Sequence, residues 1–296
     1  MRPEELRALP ADRVLLLDGG LGSMLIAAGL EAGRAPECWN LEQPDRVEAV
    51  HLAYADAGAD IVHTNTFGAN PARLAVAGLA GRCVEVNIAA AAIARRAAGG
   101  RALVAGDIGP SGHALPPVGT ACLDELREGF RLQAGALAGA GVDLLSIETM
   151  TDVREALAAV EAAAETGLAV IASMTFEARR RGAFTVMGDP LVESLRRLAA
   201  AGAAAVGLNC SVTAEVMLAM VREAAPALGV PLAAQANAGQ PEMKEGEIAY
   251  RADPDEFARQ AVAMVESGAR LIGGCCGTTP EFIARIAAAL AAAGLR

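Results

Sequence analysis

Short runs of apolar residues alternate with longer amphipathic segments along the whole chain. Eight of these runs are typical of buried strands: 14–18, 60–65, 101–107, 142–148, 168–176, 204–209, 231–236 and 270–274. Between them, apolar residues recur at helical spacing, and several of these segments end in a glycine shortly before the next strand, as helices do in connections to strands. The pattern therefore predicts strands and helices in strict alternation.

Strands that are apolar on both faces and separated by helices predict a parallel sheet covered by helices. Eight such units in a chain of 296 residues match the usual size of a (β/α)8 TIM barrel, so we expect this α/β fold, with residues 1–296 forming a single domain. An open doubly wound sheet is the main alternative, but it usually has fewer strands and a phosphate-binding loop after the first one.

Composition narrows the classes of partner and compartment. The formal net charge is −10, which argues against nucleic acid as a partner because phosphate binding requires a basic surface. Six cysteines without an apolar leader segment indicate a reduced, cytoplasmic protein rather than a disulfide-linked one. No apolar stretch reaches the ~18 residues of a membrane span, so we expect no membrane association.

Functional side chains of a barrel collect at the carboxyl ends of its strands. Nearly every predicted strand ends in a polar or thiol residue: Asp18, Thr64–Asn65, Asp107, Glu148, Thr175, Asn209–Cys210, Asn237 and Cys275–Cys276. Random placement would scatter such residues along the chain. Their convergence predicts an active site at this end of the barrel.

Three of these residues are cysteines that suit a metal site. Cys210 ends the sixth strand, and the adjacent Cys275 and Cys276 end the eighth, so their sulfurs can meet above the rim. Three thiolates leave one position open on a tetrahedral Zn²⁺, as catalytic zinc sites do. The other cysteines, Cys38, Cys83 and Cys122, are expected to be inert, and the three histidines lack the spacing of zinc ligands.

The donor set indicates the chemistry. Three thiolates give Zn²⁺ a net charge of −1, which makes it a weak Lewis acid for hydrolysis. Such a metal suits the binding of an incoming thiol, since coordination removes the proton of a group whose pKa is about 8.5 when free. We therefore expect alkylation of a thiolate.

Six segments resemble the homocysteine S-methyltransferase family, in order and at family-like spacing: DGGLGSML, NTFGAN, GDIGPSG, ETMTD, GLNCS and GGCCGTTP. The resemblance runs from about residue 12 to 295. Within the family the chain is most similar to the N-terminal homocysteine-binding module of cobalamin-dependent methionine synthase, particularly across residues 36–70. The resemblance implies a zinc-binding barrel that methylates homocysteine to methionine.

Carried over by position, the resemblance makes Cys210, Cys275 and Cys276 the zinc ligands, through which they act in catalysis. It makes Asp18, Gly19, Gly20 and Glu148 the residues that hold the amino-acid end of homocysteine, and Thr64 and Asn65 line the same end of the barrel as further substrate-binding candidates. A carboxylate at a strand end can pair with an ammonium group, and amides of a glycine turn can hold a carboxylate.

Two departures from the family pattern are mild. The chain has Ala236 where the family usually has proline, and GGLGS where methionine synthases more often have GAMGT. The chain also lacks the D-x-H-x-x-G motif through which corrinoid proteins supply a histidine to cobalt. A methylcobalamin or other methylcorrinoid donor would therefore be carried by another domain or protein.

Three other functions stay open. A homocysteine methyltransferase could use S-methylmethionine or betaine and need no corrinoid partner. The barrel could be a non-catalytic metal-binding or docking module, which the intact Asp18 and Glu148 argue against. A metal-dependent hydrolase or an aldolase would require His and carboxylate ligands or a lysine in the barrel, and the only lysine is Lys244.

Overall fold

Eight parallel strands form the centre of the molecule in a computed structural model that describes residues 1–10, 12–31, 33–240, 242–244 and 247–296. We number them in chain order: β1 Leu15–Leu16, β2 Ile61–His63, β3 Leu103–Ile108, β4 Leu144–Met150, β5 Val170–Met174, β6 Ala205–Thr213, β7 Leu232–Asn237 and β8 Ala269–Gly274. Each predicted strand is present and overlaps its predicted range.

The strands follow one another around the sheet in chain order, and β8 pairs in parallel with β1. A parallel bridge between Leu17 and Ile61 and the hydrogen bond from the Asp60 amide to the Leu16 carbonyl (2.7 Å) join β1 to β2. The sheet is thereby closed into the (β/α)8 barrel that the sequence predicted.

Helices cover the outside of the barrel. In chain order they are α1 Pro3–Arg7, α2 Leu21–Ala27, α3 Trp39–Glu42, α4 Pro44–Asp56, α5 Pro71–Val76, α6 Cys83–Ala98, α7 Leu123–Gly139, α8 Val153–Ala164, α9 Leu191–Ala200, α10 Ala214–Ala224, α11 Pro254–Glu266 and α12 Pro280–Ala292. Glycines end several of them as predicted: Gly141 and Gly268, at φ 81° and 114°, follow α7 and α11. Within the described ranges, no helix has both the length and the apolar character of a membrane span.

The two faces of the sheet enter different apolar clusters, which explains the continuous apolar strands. Leu15 and Leu17 point into the barrel, whereas Leu16 packs between sheet and helices. The interior at the amino ends of the strands is lined by leucine and isoleucine side chains together with alanines such as Ala105 and Ala233, and the side chain of Leu6 from α1 packs among them. Helix α1 therefore closes the end of the barrel opposite the predicted site.

Two antiparallel hairpins were not predicted. One pairs Glu177–Arg179 with Gly182–Phe184 after β5, and the other pairs Glu242–Lys244 with Glu247–Ala249 after β7. Their three-residue strands are too short to produce a recognisable alternation of apolar and polar positions. Both lie in loops that leave the carboxyl ends of barrel strands, so they extend the rim on the side of the predicted site.

The Leu6→Ala substitution should destabilise the protein by about 2–5 kcal/mol, since it leaves a cavity in a site where Leu6 is fully buried. Urea unfolding followed by circular dichroism measures this. Leu132→Ala, on an exposed face of α7, is the matched control and should change stability by less than about 1 kcal/mol. Equal effects of the two substitutions would contradict the role assigned to α1.

Candidate functional site

A cavity of about 650 Å³ opens at the carboxyl ends of the strands. The predicted site residues all line it: Asp18, Gly19, Gly20, Thr64, Asn65, Glu148, Cys210, Cys275 and Cys276. His63 and Asp107 line it as well. The structure thus brings together residues from the ends of six strands, in the place where functional residues of a barrel are expected.

The three predicted cysteine ligands form one cluster. Their sulfurs lie within 4.8 Å of one another, and the sulfurs of Cys210 and Cys276 are 3.7 Å apart. In the described part of the chain this is the single group of three or more His, Cys, Asp or Glu residues close enough to share a metal ion. Cys38, Cys83 and Cys122 lie outside it.

The three thiols shift one another's pKa values, as expected of cysteines that lie close together. Thiol hydrogen bonds from Cys275 and Cys276 lower the pKa of Cys210 to about 3. The same contact with Cys210 raises the pKa of Cys275 well above its ordinary range. The pKa shifts thus favour a thiolate on Cys210 that accepts hydrogen bonds from the other two thiols.

Cys210 occupies an irregular stretch of β6. Cys210 and Ser211 have φ angles of 61° and 59°, and the register between β6 and β7 shifts between Asn209 and Thr213. Non-glycine residues in this left-handed region cost about 1–3 kcal/mol each and concentrate at functional sites. The shift breaks the regular alternation of the strand at the residue whose sulfur joins the cluster.

A second irregularity in β4 is tied to the first. Thr149 has φ 59°, next to Glu148. Its amide donates to the side-chain oxygen of Asn209, and the Asn209 amide donates back to the Thr149 hydroxyl, both at 2.8 Å. Asn209 therefore links the end of β4 to the end of β6 and fixes the neighbours of both Glu148 and Cys210.

The turn that contains Cys275 and Cys276 packs directly on the glycine turn after β1. The Gly20 amide donates to the carbonyl and hydroxyl of Thr278, and the Thr278 hydroxyl donates to the Cys275 carbonyl at 2.6 Å. A Cβ on Gly20 would lie 2.6 Å from the Cys275 carbonyl oxygen, and one on Gly19 would lie 2.7 Å from the Thr278 hydroxyl. Both glycines are therefore required for this close contact, and the Gly20 amide already has its acceptors.

Thr64 and Asn65 are buried and committed to neighbours within the rim. The Thr64 hydroxyl contacts that of Thr66 at 2.6 Å and accepts from the Asp107 amide at 3.0 Å. The Asn65 side chain donates to the Asn40 side chain at 2.9 Å. These contacts hold the loop after β2 against its surroundings.

His63 was not predicted to belong to the site. Its backbone amide donates to one oxygen of Asp18 at 2.8 Å, and its Nδ1 donates to the other at 2.6 Å. Its Nε2 lies 3.1 Å from the Ser146 hydroxyl and 3.5 Å from Oε1 of Glu148. The sequence offered one signal: His63 immediately precedes Thr64 at the end of β2, the strand beside the one that ends at Asp18.

His63 is positively charged at neutral pH. Burial alone would lower its pKa, but the charges of Asp18 and Glu148 outweigh burial and raise the pKa to about 10. The imidazolium is thus a resident cation among the buried acids. For Glu148 and Asp107, burial has the opposite consequence and raises the pKa of each carboxyl group.

The His63→Gln substitution should lower stability by about 3–5 kcal/mol at pH 6, because it leaves buried acids without their cation. The folded-state pKa of His63 lies above the ordinary 6.5, so the stabilisation is complete below pH 6.5 and is lost as pH rises through about 10. Urea unfolding at pH 6 and pH 10 should show a smaller difference from wild type at pH 10. His113→Gln, in an exposed loop, is the control; a pH-independent difference for His63→Gln would refute the assignment.

Comparisons with known proteins agree with this geometry. The chain is 32% identical over 302 residues to a methionine synthase of Mycobacterium tuberculosis and 31% identical over 300 residues to that of Mycobacterium leprae, in each case over 95% of this chain. It spans about a quarter of the length of these relatives, 25% and 24%.

Among solved structures, the oxidized form of the homocysteine methyltransferase MmuM from Escherichia coli superimposes with a TM-score of 0.80 at 27% identity, covering 97% of this chain and 99% of that one. The metallated form of the same enzyme superimposes with a TM-score of 0.77. A family model described as homocysteine S-methyltransferase matches residues 15–290, and the chain belongs to this family.

Proposed function

We propose that this chain transfers a methyl group to the thiolate of homocysteine, giving methionine. One observation carries the proposal: a cluster of three thiols and a group of buried acids line the same cavity. Homocysteine has a thiol at one end and an ammonium group at the other. The cavity offers chemistry complementary to both ends.

The residues present fit zinc. Two ligands ~2.3 Å from a tetrahedral zinc lie ~3.8 Å apart, close to the 3.7 Å between the sulfurs of Cys210 and Cys276. Cys210, Cys275 and Cys276 would hold the ion. Zinc bound by three thiolates supplies an open position for the substrate sulfur and keeps that sulfur deprotonated at neutral pH.

The chain itself positions the substrate. Glu148 and its acidic neighbours hold the ammonium end, so that the sulfur is aimed at the methyl group; such orientation accounts for a large part of the rate in displacement reactions. The new bond forms between sulfur and the methyl carbon while the bond from that carbon to the donor breaks. The donor leaves with the electron pair.

We propose a methylcorrinoid, carried by another domain or protein, as the methyl donor. The similarity to two methionine synthases, of which this chain spans about a quarter, supports the proposal, since the remaining length of those proteins has room for such a domain. The candidate partners are therefore homocysteine and a corrinoid-carrying protein.

A free small donor, such as S-methylmethionine or betaine, is the second candidate. It is favoured by the similarity to the Escherichia coli homocysteine methyltransferase, whose chain in the solved structure is matched over 99% of its length. The two candidates share the thiol cluster and differ in what reaches the mouth of the cavity.

The Cys276→Ser substitution should abolish zinc binding, because two sulfurs and a hydroxyl form a much weaker set of ligands. Wild-type protein purified with zinc should contain about one ion per chain by plasma mass spectrometry, and the variant less than about a tenth of that. Cys122→Ser, at an exposed cysteine outside the cluster, is the control and should retain its zinc. Unchanged zinc content in Cys276→Ser would overturn the ligand assignment.

The donor is tested by offering the zinc-loaded protein L-homocysteine with methylcobalamin, S-methylmethionine or betaine in separate reactions and measuring methionine. We expect methionine with methylcobalamin and, with each of the other donors, a rate at least about tenfold lower, a difference of ~1.4 kcal/mol in the barrier. Turnover with S-methylmethionine or betaine alone would establish the second candidate. No methionine with any donor would contradict the proposed activity.

A further inference from the structure

The turn that carries Cys275 and Cys276 packs against the side chain of Tyr250. Tyr250 follows the hairpin strand Glu247–Ala249 in the loop after β7, and it is partly buried. A Cβ on Gly277, which has φ 79°, would lie 2.2 Å from Cγ of Tyr250. The aromatic ring therefore lies directly against the backbone of the cysteine turn, where only a glycine leaves room for it.

Backbone hydrogen bonds fix the segment that carries Tyr250 relative to the same turn. The Ala252 amide donates to the Ala238 carbonyl at 3.0 Å, and the Ala238 amide donates to the Cys276 carbonyl at 2.9 Å. The segment after the hairpin, the end of β7 and the cysteine turn are thus joined in series. Tyr250 consequently has a defined position relative to Cys276.

The phenol of Tyr250 reaches the sulfur of Cys276 and forms a side-chain hydrogen bond with it. A phenol keeps its proton at neutral pH, since its ordinary pKa is about 10, whereas a metal-bound cysteine is a thiolate and can only accept. The hydroxyl is therefore the donor when a metal is bound. The chain's only other tyrosine, Tyr54, contacts this turn differently, because its hydroxyl donates to the backbone carbonyl of Thr278 at 2.8 Å.

A donor to the Cys276 sulfur bears on a problem of selectivity. Cys210 and Cys276 both line the cavity into which a methyl group is delivered, so their sulfurs compete with the substrate sulfur for it. A methylated cysteine is a neutral thioether, which binds zinc more weakly than a thiolate does. A hydrogen bond makes a thiolate less nucleophilic, because the donor occupies a lone pair and stabilises the negative charge. Cys210 accepts such bonds from the Ser211 amide and the Asn237 side chain.

We propose that Tyr250 is a positioning residue that keeps Cys276 a zinc ligand and prevents it from acting as a methyl acceptor. The inference rests on the proposed function and concerns its selectivity between the substrate sulfur and the sulfurs of the protein. In the unwanted reaction, a bond forms between Sγ of Cys276 and the methyl carbon while the bond from that carbon to the donor breaks, and the donor leaves with the electron pair. The Tyr250 hydroxyl opposes this step, because the thiolate must give up the hydrogen bond before its lone pair can attack.

The test measures methylation of the protein's own cysteines. Zinc-loaded wild type and Tyr250→Phe, which keeps the ring against Gly277 and lacks the hydroxyl, are treated with methyl iodide in the absence of homocysteine. Peptide mass spectrometry then gives the rate at each cysteine. Methylation of Cys276 should be about threefold faster or more in the variant, as expected from the loss of one hydrogen bond. Cys210 keeps its own donors, so it is the internal reference and should react at the wild-type rate.

Cobalt provides a spectroscopic readout that involves no methyl transfer. Co²⁺ bound by thiolates has a sulfur-to-metal charge-transfer band, and a hydrogen bond to the sulfur moves this band to shorter wavelength by lowering the energy of the lone pair. Tyr250→Phe should therefore shift the band of the Co²⁺-loaded protein to longer wavelength. Tyr54→Phe is the matched control, because it removes a hydroxyl that binds the same turn through a backbone carbonyl. It should change neither the band nor the methylation rate of Cys276.

The outcomes separate this inference from the proposed function. A rise confined to Cys276, together with the shift of the cobalt band, is the expected result. An unchanged rate at Cys276, an unchanged band, or a parallel rise at Cys210 and Cys276, which would indicate general loss of zinc, overturns the role of Tyr250 while methylation of homocysteine by wild type stands. Wild-type protein that binds neither Zn²⁺ nor Co²⁺ overturns both.

Discussion

The contact between two turns determines the geometry of the site. The turn at Gly19–Gly20 after β1 and the turn at Cys275–Thr278 after β8 approach so closely that neither glycine position has room for a side chain. Hydrogen bonds from the Gly20 amide to Thr278 join the two turns, and the Tyr54 hydroxyl of α4 donates to the Thr278 carbonyl and holds the second turn from outside. Because β1 and β8 are the first and last strands of the barrel, the two cysteines are held where the barrel closes.

The rest of the site is built outward from that junction. The cysteine turn is also joined to β7, through the hydrogen bond from the Cys275 amide to the Ala236 carbonyl at 2.8 Å. On the other side, Asp18 directly precedes the glycine turn and binds His63 on β2. The thiol cluster and the acidic group are thus two ends of one connected framework, and a shift at the junction would move both.

The sequence predicted the features that depend on residues close to one another along the chain. Apolar runs and glycine-terminated helices predicted all eight strands, and reading the strand ends found the three cysteines and the acids Asp18, Asp107 and Glu148. It could not find the partner of Asp18, because the contact with His63 joins residues 45 positions apart and depends on the closure of β1 onto β2. Nor could it separate an acid that has a partner from one that lacks it, since this depends on atoms and not on residue types.

The left-handed residues Thr149, Cys210 and Ser211 affect which substitutions can stabilise this barrel without disturbing the thiol cluster. Ser211→Gly would relieve the strain of a left-handed residue, about 1–3 kcal/mol, but it would remove the hydroxyl that hydrogen-bonds to Thr175 and widen the range of orientations open to the neighbouring sulfur. At the irregular stretch of β6, a change that relieves backbone strain therefore makes the position of the Cys210 sulfur less well defined. Selection for stability alone would therefore favour substitutions that remove the backbone distortion by which the Cys210 sulfur is directed toward Cys275 and Cys276.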